Sequence, residues 1–122
     1  MTDYNFKDGI LRSGSRTIGH GTIVGNIKDG IIRTGSFSCA GNGTIVGNIK
    51  DGIIRKGSFS CAGNGTIVGN VKGDSVYKGM SSCVGTGIKV AKIKDIDVIK
   101  GAEYVDASIK AALYDFFIGH LF

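Results

Sequence analysis

Cys39, Cys61 and Cys83 stand 22 residues apart, which is the spacing of equivalent positions in successive copies of one unit. Thiolates from equivalent positions converge if those positions face a common axis, and three of them would suit a soft metal such as zinc. No Cys-x-x-Cys pair accompanies them, and the upstream copy offers only Thr17 or Ile18 in their place. The thiols are therefore expected to be buried and free, with a metal site at Cys39, Cys61 and Cys83 as the alternative. His20 precedes Gly21 where later copies have Asn42-Gly43 and Asn64-Gly65. It is expected to take the left-handed backbone of a turn, which His tolerates. His120 falls near the end of a helical pattern, where a protonated imidazole is favoured. Spacing pairs neither histidine with a Ser or Cys nucleophile, so no catalytic set is assigned.

Asp8, Asp29, Asp51, Asp74 and Asp95 recur at turns. Turn chemistry already accounts for them, and no DxDxDG calcium loop is present. The stretches Ala40-Gly41-Asn42-Gly43 and Ala62-Gly63-Asn64-Gly65 neither end in Lys-Ser/Thr nor open a helix, which excludes a phosphate-cradling loop of that kind. Lys28, Lys50 and Lys72, with Arg33 and Arg55 and with Tyr77 at the same position of the next copy, form the expected binding surface. Interleaved with Phe37 and Phe59, such a basic ring has the composition of a single-strand nucleic-acid groove. Each Lys also neighbours a turn Asp or Gly, so a solvated rim is the preferred reading and nucleic acid is not expected. No cofactor is expected.

What positions these residues is a repeat. Gly21 to Asn42 reads GTIVGNIKDGIIRTGSFSCAGN, and Gly43 to Asn64 differs from it only by Lys56 in place of Thr34. Gly65 to Thr86 drifts to GTIVGNVKGDSVYKGMSSCVGT, Gly87 to Ala102 is a partial copy, and Phe6 to His20 is the tail of an earlier one. β-Branched runs bounded by turn residues make two strands per copy. Asp-Gly is a hairpin signal because both central residues need positive φ. Asn-Gly is expected to make the opposite turn. A three-residue loop Lys50-Asp51-Gly52 would place Ile45, Gly47, Ile49, Ile53, Arg55, Gly57, Phe59 and Cys61 on one face. Thr44, Val46, Asn48, Ile54, Lys56 and Ser58 would then share the other.

From turn to turn there are four units: Gly9 to Ile27, Gly30 to Ile49, Gly52 to Val71, and Asp74 to Ile93. Short strands at Tyr4 to Phe6 and Asp97 to Ile99 flank them. Near-identical units remove exposed sheet edges by closing through rotation. The expected fold is therefore mainly β: four pseudo-symmetric 22-residue hairpin repeats in a closed antiparallel meander, plus one C-terminal α-helix. It forms a single domain over residues 1–122, with the β-repeat region at 3–101 and the helix at 102–122. Val105, Ile109, Ala112, Leu113, Phe116, Phe117 and His120 follow helical spacing, with Asp106 as N-cap. This aromatic stripe must be buried, against the sheet or against a second copy in a homo-oligomer.

The units KDGIIRTGS and GTIVGNIKDG, followed by DASIKAALYDFFIGHLF, resemble the small bacterial 4-fold beta flower proteins. That resemblance implies a fourfold arrangement of hairpins with a C-terminal helix and no assigned activity. Gly63 to Gly79 is also similar to MORN repeats, hairpin units used in membrane-lipid and protein contacts. Most of the aromatic positions typical of MORN units are missing.

Composition narrows the function classes. The chain has 122 residues, is 42% hydrophobic and 20% charged, and carries 21 Gly and no Pro, so it is an ordered, turn-rich protein. A net charge of +5 spread through the repeats permits an anionic partner without specifying one. No apolar run is long enough to span a membrane, the N-terminus has no signal-peptide pattern, and the odd cysteine count fits no secreted framework. A cytoplasmic location is expected. The leading functional reading is a non-enzymatic β-repeat module for binding or assembly. The competing one is an enzyme or small-molecule binder with its site at the repeat axis or beneath the helix, built from residues that break the repeat: Tyr77, Met80, His20, Glu103 and His120.

Overall fold

A computed structural model describes residues 3–96, 98–101, 106–119, 121 and 122. The strands are β1 (Tyr4–Lys7), β2 (Ile10–Ser13), β3 (Thr22–Lys28), β4 (Ile31–Thr34), β5 (Thr44–Lys50), β6 (Ile53–Lys56), β7 (Thr66–Lys72), β8 (Ser75–Lys78), β9 (Ile88–Lys92) and β10 (Ile99–Lys100). A 3-10 turn (Ile93–Asp95) follows β9, and the helix α1 (Ala107–Leu113) runs into a π-helical turn at Tyr114–Ile118. All ten strands belong to one sheet, in the order β10-β1-β2-β3-β4-β5-β6-β7-β8-β9.

The hairpin turn is tighter than the sequence reading has it. Lys50 pairs directly with Ile53, so the loop is the two residues Asp51-Gly52, with φ of 53° and 78°. Positive φ at both central residues defines the turn that follows the natural twist of a two-stranded ribbon. Asp8-Gly9 and Asp29-Gly30 repeat it. In the fourth hairpin the order inverts to Gly73-Asp74, and only Gly73 keeps a positive φ, of 60°. That is the variant in which the left-handed residue comes first.

This register, with a bulge in each long strand, corrects the expected faces. Ile49 pairs with Ile54 and Gly47 with Lys56, so these four share the inner face. Asn48 pairs with Arg55 and Lys50 with Ile53, so these lie outside. The opposing register shifts between Ile54 and Arg55, where β7 carries one extra residue. The same shift occurs in β4 with β5, β2 with β3, and β8 with β9. An extra residue flips the alternation, so Ile45 lies outside with Arg33, its partner, while Ile49 lies inside.

The second turn is not an Asn-Gly hairpin. Residues 35–43 and 57–65 form loops that fold over the outer face, and among the described residues only Asp8, Asp29 and Asp51 have positive φ without being glycine. His20, Asn42 and Asn64 are therefore not left-handed. Their carbonyl groups do the structural work instead. Asn26 Nδ2 donates to the Asn42 carbonyl at 2.8 Å, and the Gly41 N–H donates to Asn26 Oδ1 at 3.0 Å. Asn48 holds Asn64 and Gly63 in the same way at 2.7 and 3.0 Å, and Asn70 holds Thr86 and Gly85 at 2.9 and 2.7 Å. Asn5 holds the His20 carbonyl at 2.7 Å and the Gly19 N–H at 3.0 Å. All four side chains are fully buried. A buried amide is tolerated here because its donor and acceptor are both used.

The expected closure does not occur. Ile96 replaces the turn glycine and has φ −94°, and Lys92 stands where earlier copies have the loop-holding Asn. The chain leaves the meander there, and β10 pairs with β1 in parallel rather than continuing antiparallel from β9. Among the described residues no ladder joins β9 to β10, so the sheet has two ends.

The helix packs on the inner face. Ala111, Ala112 and Leu113 are fully buried in the cluster that contains Leu11, Ile32, Ile54, Val76 and Ile99. Asp106 caps it as expected, accepting from the Ser108 N–H at 3.2 Å. Residues 102–105 and 120 of the expected helix, with Glu103, Val105 and His120, lie outside the described residues, as does Asp97. Beyond Leu113 the α-helix gives way to the wider turn, in which the Gly119 N–H bonds the Tyr114 carbonyl at 2.9 Å. The aromatic rings there meet the sheet at glycines. A Cβ at Gly25 would stand 2.5 Å from the Phe117 ring, and one at Gly47 or Gly69 would overlap Phe116 or Phe122. The inward glycine of each IVGN strand is thus the seat of one C-terminal ring.

Candidate cationic clefts on the outer face

Each unit's loop leans on the turn of the unit before it. Ala40 Cβ lies 3.2 Å from a Cβ position at Gly9, Ala62 Cβ 3.5 Å from one at Gly30, and Val84 Cγ1 3.0 Å from one at Gly52. Lysine stems fill the space alongside: Lys28 Cδ approaches Gly41 at 3.1 Å on the same measure and Lys50 Cδ approaches Gly63 at 3.0 Å. A methyl group at those glycines would displace the lysines. The result is a cleft between consecutive loops.

Two such clefts are seen among the described residues. One, of about 360 Å³, is lined by Lys50, Asp51, Ile53, Arg55, Gly63, Ser82 and Val84. The other, of about 270 Å³, is lined by Lys28, Asp29, Ile31, Arg33, Gly41, Ser60 and Ala62. Position for position the two sets are offset by 22 residues and differ only at Val84 against Ala62. Lys7, Asp8, Ile10, Arg12, Gly19, Ser38 and Ala40 occupy the corresponding positions one unit earlier. In the fourth unit Gly73 replaces the Asp and Tyr77 the Arg, while Lys72 is kept.

The six residues of the expected binding surface are thus sorted by unit. Lys28 joins Arg33 in one cleft, Lys50 joins Arg55 in the next, and Lys72 and Tyr77 mark the altered fourth position. Among the described residues neither Arg33 nor Arg55 has an ion pair or a side-chain hydrogen bond within the chain. Their guanidinium groups offer planar, forked donors suited to carboxylate or phosphate.

The other candidates do not assemble. Cys39, Cys61 and Cys83 are exposed, not buried, because the loops that carry them lie on the outer surface. No three His, Cys, Asp or Glu side chains among the described residues are grouped to hold a metal. Met80 is 79% exposed and lines a third cavity, of about 220 Å³, with Val68, Lys78 and Phe122 on the inner side. Tyr77 pairs with Asn70 on the outer side, and His20 is exposed in the first loop. Of the repeat-breaking residues that the structure describes, Tyr77, Met80 and His20 are therefore not brought to one site. Among the described residues no helix is long and apolar enough to cross a membrane.

Sequence reasoning overlooked three sets: the loop-holding Asn5, Asn26, Asn48 and Asn70; the ring-seating Gly25, Gly47 and Gly69; and Asp115. The first two had a signal. Asn and Gly are both depleted in strands, so their return as Gly-Asn inside the seven-residue strand of every full copy called for a reason. Asp115 had none, since its partner lies far away in the chain.

No family model, curated protein or solved structure matches this chain.

Proposed function

We propose that this protein is a non-enzymatic binding module that presents two equivalent cationic clefts, offset by one repeat, on the face opposite its helix. The observation that carries the reading is the pair of clefts with the same Lys, Asp, Arg and Ser residues at positions 22 apart. Each cleft has two cationic groups and one carboxylate, and its arginine is left to an external partner. Equivalent sites on one rigid sheet convert weak single contacts into useful avidity. The 4-fold beta flower resemblance fits the reading, since it implies repeated hairpins without an assigned activity. On the inner face Leu113 is fully buried and Phe116 and Phe117 pack against the same cluster.

The test is calorimetric titration with poly-glutamate at low salt. Arg33→Ala and Arg55→Ala are expected to weaken binding by similar factors, and the double variant by more than either. Loss confined to one arginine would contradict equivalence, and undiminished binding by the double variant would remove the clefts from the function.

A further inference from the structure

We infer that β9 is a strand-addition site for an extended segment of a partner protein in which apolar and acidic residues alternate. The inference goes beyond the cationic clefts and uses none of their residues. β9 ends the sheet and, among the described residues, is paired with β8 alone. The earlier long strands are covered on both sides. After each, a short strand returns antiparallel, and the carbonyls of Val24, Val46 and Val68 accept from the N–H groups of Gly35, Gly57 and Gly79 at 3.3, 3.1 and 3.2 Å. After β9 the 3-10 turn at Ile93–Asp95 takes the chain away instead. The far edge of β9 therefore presents backbone donors and acceptors, which is what an added strand pairs with.

This edge strand is not a plain copy of the others. Ile88 stands where earlier units have Thr22, Thr44 and Thr66, and Met80 stands where they have Ser36 and Ser58. Both are exposed, at 71% and 79%, and Val90 is 38% exposed. Ile88 pairs with Lys78, which pairs with Gly69 on the inner face. On that side lies the cavity of about 220 Å³ lined by Val68, Lys78, Met80 and Phe122. On the outer face, Lys89 replaces Ile23, Ile45 and Ile67, and Lys92 replaces Asn26, Asn48 and Asn70. Both lysines are exposed, and among the described residues neither has an ion pair.

The lysines select the occupant. Antiparallel pairing of β9 with β9 of a second copy, inner faces together, sets Lys89 of each copy opposite Lys92 of the other. Like charges directly opposite destabilise a strand pair, so this edge resists its own copy. An acidic strand turns both contacts into opposite-charge pairs. β8 shows the step needed: Tyr77 and Ser75, flanking Val76, pair with Lys89 and Lys92 across the bulge. Plain alternation of acidic and apolar residues supplies that step, with the apolar set on the side of Ile88 and Ala91.

NMR titration of the full chain with a short alternating Val-Glu peptide, at about 50 mM salt to limit screening, tests this. Amide shifts and exchange protection are expected to centre on residues 88–92. Affinity should be about tenfold higher than for a peptide of the same composition with Val and Glu in separate blocks. K89E/K92E should lose the Val-Glu peptide and take up a Val-Lys one, which also shows that the variant is folded. M80S/I88T, which restores the earlier copies, should weaken binding several-fold at an unchanged thermal midpoint, and R33A/R55A should leave it unaltered. Shifts centred on the clefts and lost in R33A/R55A would overturn this inference and leave the binding module standing. Equal affinity for the blocked peptide, or no protection of β9 by either, would also overturn it. Concentration-dependent self-association of the unmodified chain through β9 would replace the partner protein with a second copy.

Discussion

Lys56 Nζ lies 3.8 Å from Asp115 Oδ2, and Lys56 is the one residue by which the copy Gly43–Asn64 departs from the copy Gly21–Asn42. The pairing is asymmetric in burial: the Asp115 side chain is 1% exposed and that of Lys56 48%. Asp115 Oδ1 accepts from the N–H groups of Leu121 and Phe122 at 2.8 and 3.1 Å, which turns the chain end back toward the sheet. Among the described residues Oδ2 has no hydrogen bond, and the Lys56 ammonium group is the counter-charge that offsets its burial. The same ammonium stands 5.7 Å from the centroid of the Phe116 ring. A repeat docking a single helix must break its own symmetry at the contact, and Lys56 is where it does so.

Restoring the copy with Lys56→Thr should lower stability by about 1–2 kcal/mol, because it leaves a buried carboxylate oxygen without a counter-charge. Thr34→Lys, the reciprocal change in the preceding copy, should give no such effect. Denaturant unfolding of both variants checks this. Equal changes would mean that the ion pair contributes nothing specific.

The ring seats make a second expectation. Gly47→Ala would push a methyl group into the Phe116 ring while standing 2.6 Å from the Arg55 carbonyl oxygen, so neither neighbour can yield freely. A cost of about 2–3 kcal/mol is expected from such overpacking. Phe116→Ala alone should cost about 3 kcal/mol through the cavity it leaves. If ring and glycine are one contact, the double variant will be less destabilised than the sum of the two. Additivity in a double-mutant cycle would count against the seat.

Asn48→Leu should cost about 1–3 kcal/mol, since it removes the buried amide that holds the Asn64 carbonyl and the Gly63 N–H. The loop over the clefts should loosen with it. Amide exchange at Gly63, followed by NMR, is expected to rise well before global unfolding; an unchanged rate would show that the loop holds itself.

The three thiols are expected to react fully with a disulfide reagent in the native state, because Cys39, Cys61 and Cys83 are all exposed. Native-state thiol titration reads this directly. Protection of any of the three until denaturant is added would contradict the placement of the outer loops, and stoichiometric zinc retained on purification would reopen the metal reading.

Local chemistry in the sequence determined the strands, the Asp-Gly turns, the place where the repeat stops and the Asp106 cap. Each depends on neighbours within a few residues: β-branched side chains, left-handed tolerance, a side chain bonding two residues ahead. Tertiary structure decided the rest. The face on which Arg33 and Arg55 lie turned on one residue in a hairpin loop and one in a bulge, and a period of two magnifies such a difference into a reversal. Closure failed where Lys92 and Ile96 sent the chain into a parallel pairing that no short window encodes. The cysteines came to the surface because their loops are tied down by asparagines some 13 residues upstream. Lys56 and Asp115 meet only because a helix at the end of the chain needs a place to dock. A long-range contact leaves no period in the sequence, only the single residue that broke one.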